Sequence, residues 1–498
     1  MVNRKRIGVI GAGMAGLIAT ATLAKQGHQV SLFERAKYPG GTAGFYLRKG
    51  VDYPTGATIS FGMEPGGPLQ TLLNQAGVFL KAIPTDHSMD VVLQDRVIHI
   101  YHELDRWYEE LARAFPERAK EVILFWERLH EVANVVYRIS KTLISMPIPR
   151  PNEWGQLLKV MRQSPLSFFH LLPEVHWTVA DAVNKYGLLD YAPFCRFLNA
   201  QLTDAAQTDI SGAAWLPSAI ALDIYRDGVY SVSGGFSTIS QALKQRTSDL
   251  GATLYFSTTI EEALYKQSSK KWMLFTNHHE SFEFDVVINA SGTSIKGTAQ
   301  AINAGALEAN QWGAVRIDAW VPTSWVKQLG LSVDTTINPF AYQIATDIEI
   351  GEMLHDPYGA VYVTIHPSNT DRQVISISIH TPASDWLYLN TEDYRTKKEW
   401  ATSALLERVE RILPGFQKHA MVMRTGTPFT YQKYLLKQAV GGTPLTLYYS
   451  IFHPTSVKTR LPGWLIAGDS VFPGPGVMSA AISGFYAARA IDPSISID

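Results

Sequence analysis

The 498-residue sequence predicts an α/β protein whose parallel sheet is assembled from discontinuous stretches of chain, with a mixed α+β domain and a helical insertion between them. Three observations predict this. The chain opens on strand, glycine-rich turn, helix, strand and acid; it closes on a strand running into Gly-Asp; and the residues between divide into helical, apolar stretches and strand-like ones. At 46% hydrophobic and 18% charged, the chain can bury a large core. Its 44 Lys+Arg against 45 Asp+Glu leave a net charge of −1, which excludes a strong field for nucleic acid. Cys195 is the single cysteine, so an intrachain disulfide and a cysteine metal cluster are excluded, and a reducing cytoplasm is an acceptable compartment. Met1 to Arg6 runs straight into strand-like residues, so no targeting segment is expected. A membrane-crossing helix needs about 20 apolar residues. The best candidate, Ile210 to Leu222, is shorter and holds Ser211, Gly212, Pro217 and Ser218, so it reads as a buried helix or a loop near a pocket.

The opening unit carries the strongest chemistry. Arg6-Ile7-Gly8-Val9-Ile10 is a short buried strand, followed at once by Gly11-Ala12-Gly13-Met14-Ala15-Gly16. Leu17 to Gln26 reads as a helix closed by Gly27, and Gln29 to Phe33 as a second strand ending at Glu34. Gly11 permits the tight turn, Gly13 lets backbone approach a pyrophosphate, and Gly16 lets helix and sheet pack closely. The positive helix end attracts phosphate, and Glu34 can accept hydrogen bonds from a ribose. With strand, helix and acid in register, the unit points to dinucleotide binding rather than to a structural turn.

The next residues discriminate between cofactors. Glu34-Arg35 leads to Pro39-Gly40-Gly41-Thr42-Ala43, where two consecutive glycines let backbone pass beside a cofactor, and then to Gly50-Val51-Asp52-Tyr53-Pro54-Thr55-Gly56. This extension favours FAD. It resembles the start of the two-dinucleotide-binding-domain flavoproteins, and within them the phytoene desaturase and carotenoid isomerase family. That family shows Gly-Phe-x-x-Asp-x-Gly after the doublet; here the Asp falls early, only two residues after Gly50, and no catalytic role passes to Asp52.

Two further blocks extend the resemblance. Gly234-Gly235-Phe236 precedes a helical stretch to about Leu250 and a strand over Ala252 to Phe256. The resemblance implies that Ile260 holds the adenine end through its backbone. A buried strand then ends in Ala290-Ser291-Gly292, small enough for close approach to a ribityl-phosphate arm. Near the end, Trp464-Leu465-Ile466-Ala467-Gly468-Asp469 places a carboxylate at a strand's C-terminal end, where α/β sheets bind ligands, and Asp469 would accept from a ribityl hydroxyl. Gly474-Pro475-Gly476-Val477 opens a helix from about Met478 whose N–H groups face the flavin or a phosphate. The run closely resembles the carotenoid isomerase and related desaturase branches.

The expected organisation is a Rossmann-like FAD-binding domain in three parts (1–90, 226–304 and 426–498), a helical substrate or membrane-facing region (91–225) and a substrate-domain sheet (305–425). The sheet rests on alternating runs such as Ala360 to Ile365 and Val374 to Ile379. From Gly155 to Pro173 no acid occurs, while Lys159 and Arg162 sit among apolar residues, and Pro165 would break the stretch in two. It fits a peripheral membrane interface that admits a lipid-soluble substrate, and equally a core-packed helix pair. No metal-ligand spacing or nucleophile elbow is visible, no catalytic base is assigned, and Trp215, Tyr230, His380 and Asp385 read as packing or surface residues.

The resemblance implies a cytoplasmic, non-covalent FAD oxidoreductase acting on a long apolar, carotenoid-like polyene, as a desaturase or a cis–trans isomerase. An FAD-dependent amine oxidase is the neighbouring enzyme class, though not one with a cysteinyl flavin near the C-terminus. A prenyl-protein carrier resembling the GDP-dissociation inhibitors is the non-enzyme alternative, against which the Gly468-Asp469 block argues.

Overall fold

In the computed structural model, residues 4–147, 153–163, 169–232, 234–298, 312–331, 340–345, 354, 360–368, 370–437 and 439–497 are described. Five short strands form a parallel sheet in the order Trp464–Ile466, Val286–Asn289, Arg6–Ile10, Gln29–Glu34, Thr253–Phe256. Both faces are covered, which is why Arg6–Ile10 is apolar throughout after its first residue. On one face lie the helices Met14–Lys25, Gly235–Asp249 and Val477–Ile491. On the other, the antiparallel meander Ile260–Lys266, Lys271–Thr276, Ser281–Phe284 packs Trp272, Leu274 and Phe284 against Ile10 and Phe33.

Met14–Lys25 is apolar on nearly every side because it is wedged between that sheet and Val477–Ile491. The two helices touch backbone to side: a Cβ on Gly484 would lie 2.1 Å from the Ala15 carbonyl oxygen. The last helix is thereby docked on the first.

A second, seven-stranded sheet runs Met421–Gly426, Trp312–Pro322, Arg372–Pro382, Val361–Ile365, Phe340–Ile344, His87–Val92, Val97–Tyr101. Its neighbours are antiparallel except for Phe340–Ile344 against His87–Val92, which is parallel. The long helix Thr391–Ile412 covers one face with Ala401, Leu405 and Val409. The other faces a helical layer formed by Leu104–Ala114, Ala119–Lys141, Val179–Lys185, Ala192–Ala205 and Trp215–Asp227, whose core is a stack of Trp107, Phe115, Phe125, Trp126, Phe194 and Phe197.

The structure differs from the helical reading of 91–225 at its beginning: Val97–Tyr101 is a strand, and with His87–Val92 it extends the second sheet. Tertiary pairing decides the matter there, because the hairpin gains a ladder with Phe340–Ile344. The closing helix starts at Val477, one residue before the expected Met478. Ile210 to Leu222 resolves into a turn followed by the buried helix Trp215–Asp227. Pro165 and its expected break lie outside the described residues; on either side, Trp154, Leu158, Phe169 and Leu172 are exposed, so these four side chains are not packed in a core. Among the described residues, no helix is long and apolar enough to cross a membrane.

Gly484→Ala tests the helix contact. On helix propensity alone, alanine gains about 1 kcal/mol over glycine; here the added methyl must push two helices apart, at a cost of about 1–3 kcal/mol. A melting temperature lowered by the substitution is expected, and an unchanged or raised one would remove the contact from the list of essential ones.

Candidate functional site

A cavity of about 690 Å³ runs between the parallel sheet, the second sheet and the helical layer. Every residue singled out above for dinucleotide binding lines it except Gly16, whose place is inside the packing: a Cβ there would lie 1.9 Å from the Gly11 carbonyl oxygen. Segments far apart in sequence thus converge, with Gly13 at one end of the chain and Asp469 near the other on one wall.

Local structure explains the convergence. Gly11 sits at φ +99°, its N–H donating to the Phe33 carbonyl at 2.7 Å, which locks the turn between the first two strands. A side chain at Gly11 would meet the Ala290 carbonyl oxygen at 2.9 Å, whereas one at Gly13 would meet nothing within 4 Å. Gly13 therefore presents bare backbone to the cavity. It is also the N-cap of Met14–Lys25, and Gly476, at φ +95°, is the N-cap of Val477–Ile491. Neither helix has a side-chain cap or an acid in its first turn, in contrast to Leu104–Ala114, Val179–Lys185 and Thr391–Ile412, which are capped by Glu103, Thr178 and Asn390. Two helix ends with unpaired N–H groups and positive potential thus open onto one cavity.

Glu34 sits at the C-terminal end of its strand with one carboxylate oxygen accepting from Ala12 N–H at 2.6 Å and the other from Ala36 N–H at 2.7 Å. Burial pushes its pKa above the ordinary carboxylate value, against the opposing pull of these backbone donors. Each oxygen keeps a lone pair for a hydroxyl donor. Gly40 donates to the Ala12 carbonyl at 2.7 Å, so the glycine doublet lies against the first turn, and Arg35 donates to the carbonyls of Lys433 (2.8 Å) and Tyr434 (3.2 Å), tying on the helix Pro428–Leu435. Thr42 accepts from Ala57 N–H through its carbonyl at 2.9 Å. Ile260 opens the meander just after Thr258, whose N–H donates to the Glu34 carbonyl at 2.8 Å. Ala290 N–H donates to the Ile10 carbonyl at 2.8 Å, which sets Ala290, Ser291 and Gly292 along the sheet's C-terminal edge. Gly468 N–H donates to Ser483 Oγ at 2.8 Å.

Asp469 has a partner the sequence did not point to: Lys437 Nζ lies 2.9 Å from both carboxylate oxygens and crosses the wall beside Gly292. A second overlooked group is Arg316, buried in the strand Trp312–Pro322. Its guanidinium donates to Asp318 Oδ1 at 3.0 Å and to Ser376 Oγ at 2.7 Å, and also to the Gly56 carbonyl. Tyr46 donates to Asp318 at 3.2 Å, and His366 Nε2 is 2.9 Å from Ser376 Oγ. Burial and the neighbouring Arg316 hold His366 down at about 3, so it is neutral near pH 7. An arginine amid apolar strand residues, with an acid two positions on and hence on the same face, was the available signal.

Beyond this polar floor the walls become apolar. Leu216, Ile220 and Ile224 of one helix face Val136 and Ile139 of another, and Leu171, Leu172 and Val175 line the same space. The hydroxyls there are tied in a chain, Tyr362 donating to Tyr225 Oη at 3.3 Å and Tyr225 to Asp204 at 2.5 Å. Burial first, and the nearby Asp204 next, push both phenols well above their ordinary value, so they remain neutral donors. His380 is also on the wall, while Trp215 is a packing residue whose indole donates to Glu174 at 2.9 Å.

Comparison with known proteins agrees with this architecture. The family described as NAD(P)-binding Rossmann-like domain matches residues 9–76. The chain is similar to the chloroplastic prolycopene isomerase of Daucus carota, 24% identical with 98% of this chain and 80% of the relative covered. It is also similar to that of Arabidopsis thaliana, 23% identical over 98% and 83%, and to a 4,4'-diapophytoene desaturase of Staphylococcus aureus, 20% identical over 95% of both chains. Among solved structures, cyclohexylamine oxidase from Brevibacterium oxydans shares the fold at a TM-score of 0.61 and 14% identity, covering 99% of both chains. Fold and site together define a dinucleotide-binding oxidoreductase with the architecture of the flavin oxidases. Within that class, the chain is similar over nearly its whole length to the prolycopene isomerases and, more distantly, to the diapophytoene desaturases.

The neutral His366 carries a prediction. The unfolded chain takes up a proton near pH 6.5 that the folded state refuses until about pH 3, so stability falls as pH drops through that window. The slope from this group is at most about 1.4 kcal/mol per pH unit. His366→Gln is expected to melt with a shallower pH dependence between pH 6.5 and 4.5, and an unaltered slope would assign the acid sensitivity to other groups.

Proposed function

We propose that the chain binds FAD non-covalently through the residues gathered on the cavity wall and acts on a long apolar polyene, as a carotenoid cis–trans isomerase or desaturase. The observation that carries this reading is the continuity of one cavity, from two glycine-capped helix ends to a sleeve of leucine, isoleucine and valine. The residues present fit the cofactor. Gly13 leaves room for a pyrophosphate where a Cβ would project, Glu34 keeps acceptor capacity for a ribose, and Asp469 holds a carboxylate for a ribityl hydroxyl. Lys437 supplies a cation beside them. Bound FAD supplies reversible two-electron chemistry at its ring system.

The chain's own residues do the rest. The N–H groups at Val477–Ile491 favour negative charge near its first turn. The apolar sleeve holds an extended hydrocarbon in one orientation and keeps water from it. The Arg316, Asp318, Ser376 and His366 network fixes the polar floor through bonds that are already made, so it needs no reorganisation when a ligand arrives. Leu172 lies both on the cavity wall and at the surface, beside exposed Phe169, and about ten residues earlier in the chain the helix Trp154–Gln163 exposes Lys159 and Arg162. This arrangement suits a mouth resting on a bilayer, from which a lipid-soluble substrate enters. Similarity to prolycopene isomerases over 98% of the chain favours isomerisation over desaturation. An amine oxidase is the second reading, favoured by the solved structures that share the fold; the carrier reading has no support from these relatives.

Two measurements test the proposal. Asp469→Asn should weaken flavin retention about ten- to a hundredfold, the range for a hydrogen bond to a charged group, read from the visible flavin absorbance after dialysis. Full retention would take Asp469 out of the cofactor site. Co-expression with genes that make cis-configured or partly saturated carotenes should shift the pigment profile by chromatography, and Ile220→Arg should block that shift while sparing the flavin. Flavin-loaded protein that leaves every polyene unchanged would turn the assignment toward amines.

A further inference from the structure

The hairpin that ends the seven-stranded sheet carries an irregularity. His87 pairs with Tyr101, Met89 with Ile100 and Asp90 with His99, so Ser88 and Met89 together oppose a single partner residue. In an unbroken strand, residues three apart point to opposite faces. The extra residue cancels that alternation, and His87 and Asp90 emerge on one face, where His99 joins them from directly across the ladder. Met89 and Val91 point the other way, into the helical core.

The three side chains converge on one point. Asp90 Oδ1 lies 2.7 Å from His87 Nε2 and 2.5 Å from His99 Nδ1, and the ligand atoms of all three fall within 4.8 Å of one another. Burial opposes charge on Asp90, but the bonds from both imidazoles outweigh it and hold the carboxyl below its usual range. The side chains are 22%, 14% and 33% exposed for His87, Asp90 and His99, enough for an ion to enter and for a water to complete its shell. Phe340 packs edge-on against His87 with ring centroids 5.1 Å apart and gives the cluster an apolar flank.

We propose that His87, Asp90 and His99 form a binding site for one divalent first-row transition ion, on the sheet face away from the cofactor cavity. Two imidazoles and a carboxylate are the donor set for Zn²⁺ and its neighbours rather than for Ca²⁺ or Mg²⁺, which take oxygen. Ligand bonds of about 2.0–2.1 Å set tetrahedral ligand atoms roughly 3.3 Å apart, so the two rings swing outward by less than about 1 Å from their hydrogen-bonded positions. Each ring presents to the ion the nitrogen that now faces Asp90 and carries its proton on the other. The bound ion would clamp the edge strand Val97–Tyr101 to its inner neighbour His87–Val92.

Zn²⁺ itself is the probe. Untagged, flavin-loaded protein is stripped with a chelator and equilibrated with zinc chloride by dialysis, and bound metal is measured per chain. The expected result is saturation at about one ion per chain in micromolar zinc, with a rise in melting temperature; His99→Gln and His87→Gln should weaken binding at least about tenfold. Flavin absorbance should be unchanged in both, and zinc should raise the melting temperature of neither above its value in chelator. Co²⁺ in place of Zn²⁺ should add visible ligand-field bands to the wild type that His99→Gln lacks. Wild-type protein that does not saturate below millimolar zinc, or variants that bind as tightly as wild type, would reduce the cluster to a hydrogen-bonded triad.

Discussion

The structure depends on the strand Arg6–Ile10 being flanked by segments that the chain reaches by very different routes. One neighbour, Gln29–Glu34, arrives after a single helix; the other, Val286–Asn289, arrives after the helical layer and the whole meander. The outermost partner of that side, Trp464–Ile466, is later still. Contacts of such separation carry a large closure cost and give their stability only when all are made. The cavity exists because this sheet closes: the residues that wall it stand at the C-terminal ends of its strands, where the turns diverge.

At that edge, backbone does the work that side chains do elsewhere. Gly13 and Gly476 cap their helices with no side chain, and no acid stands in either first turn, so the partial positive charge of both helix ends is offered to the cavity rather than neutralised within the fold. Polar side chains enter only at defined points: Glu34, held by two backbone donors, and Asp469, held by Lys437. The apolar end is built on the opposite plan, from side chains of the helices Ala119–Lys141 and Trp215–Asp227 whose other faces are packed on the aromatic stack.

What was readable in the sequence follows from this division. Gly11 to Gly16, Glu34, Gly40-Gly41 and Gly468-Asp469 are dictated by local backbone geometry, so their spacing along the chain is itself the signal, and all but the packed Ala12 and Gly16 stand on the cavity wall. Val361–Ile365 and the longer strand around Val374 to Ile379 were legible for the same reason, since strand alternation is a local property. Lys437 was not legible, because its partner lies 32 residues away and nothing near it in sequence asks for a cation. The hairpin His87–Val92, Val97–Tyr101 was hidden by the extra residue that breaks its alternation and by a ladder partner, Phe340–Ile344, far along the chain. Arg316 and Asp318 form their pair within one strand, but their meaning comes from Ser376, Tyr46 and Gly56, which only the tertiary fold brings near.

The late arrival of Trp464–Ile466 and the helix after it bears on how the protein is made. At the usual pace of ribosomal synthesis, residue 464 emerges on the order of a minute after residue 10. Throughout that interval, the nascent chain holds its opening strand and the greasy inner faces of its helices without their last partner. Newly made molecules are therefore exposed to self-association until the final segment is released, which makes the folding yield of this protein sensitive to chaperone supply and to the rate at which it is produced.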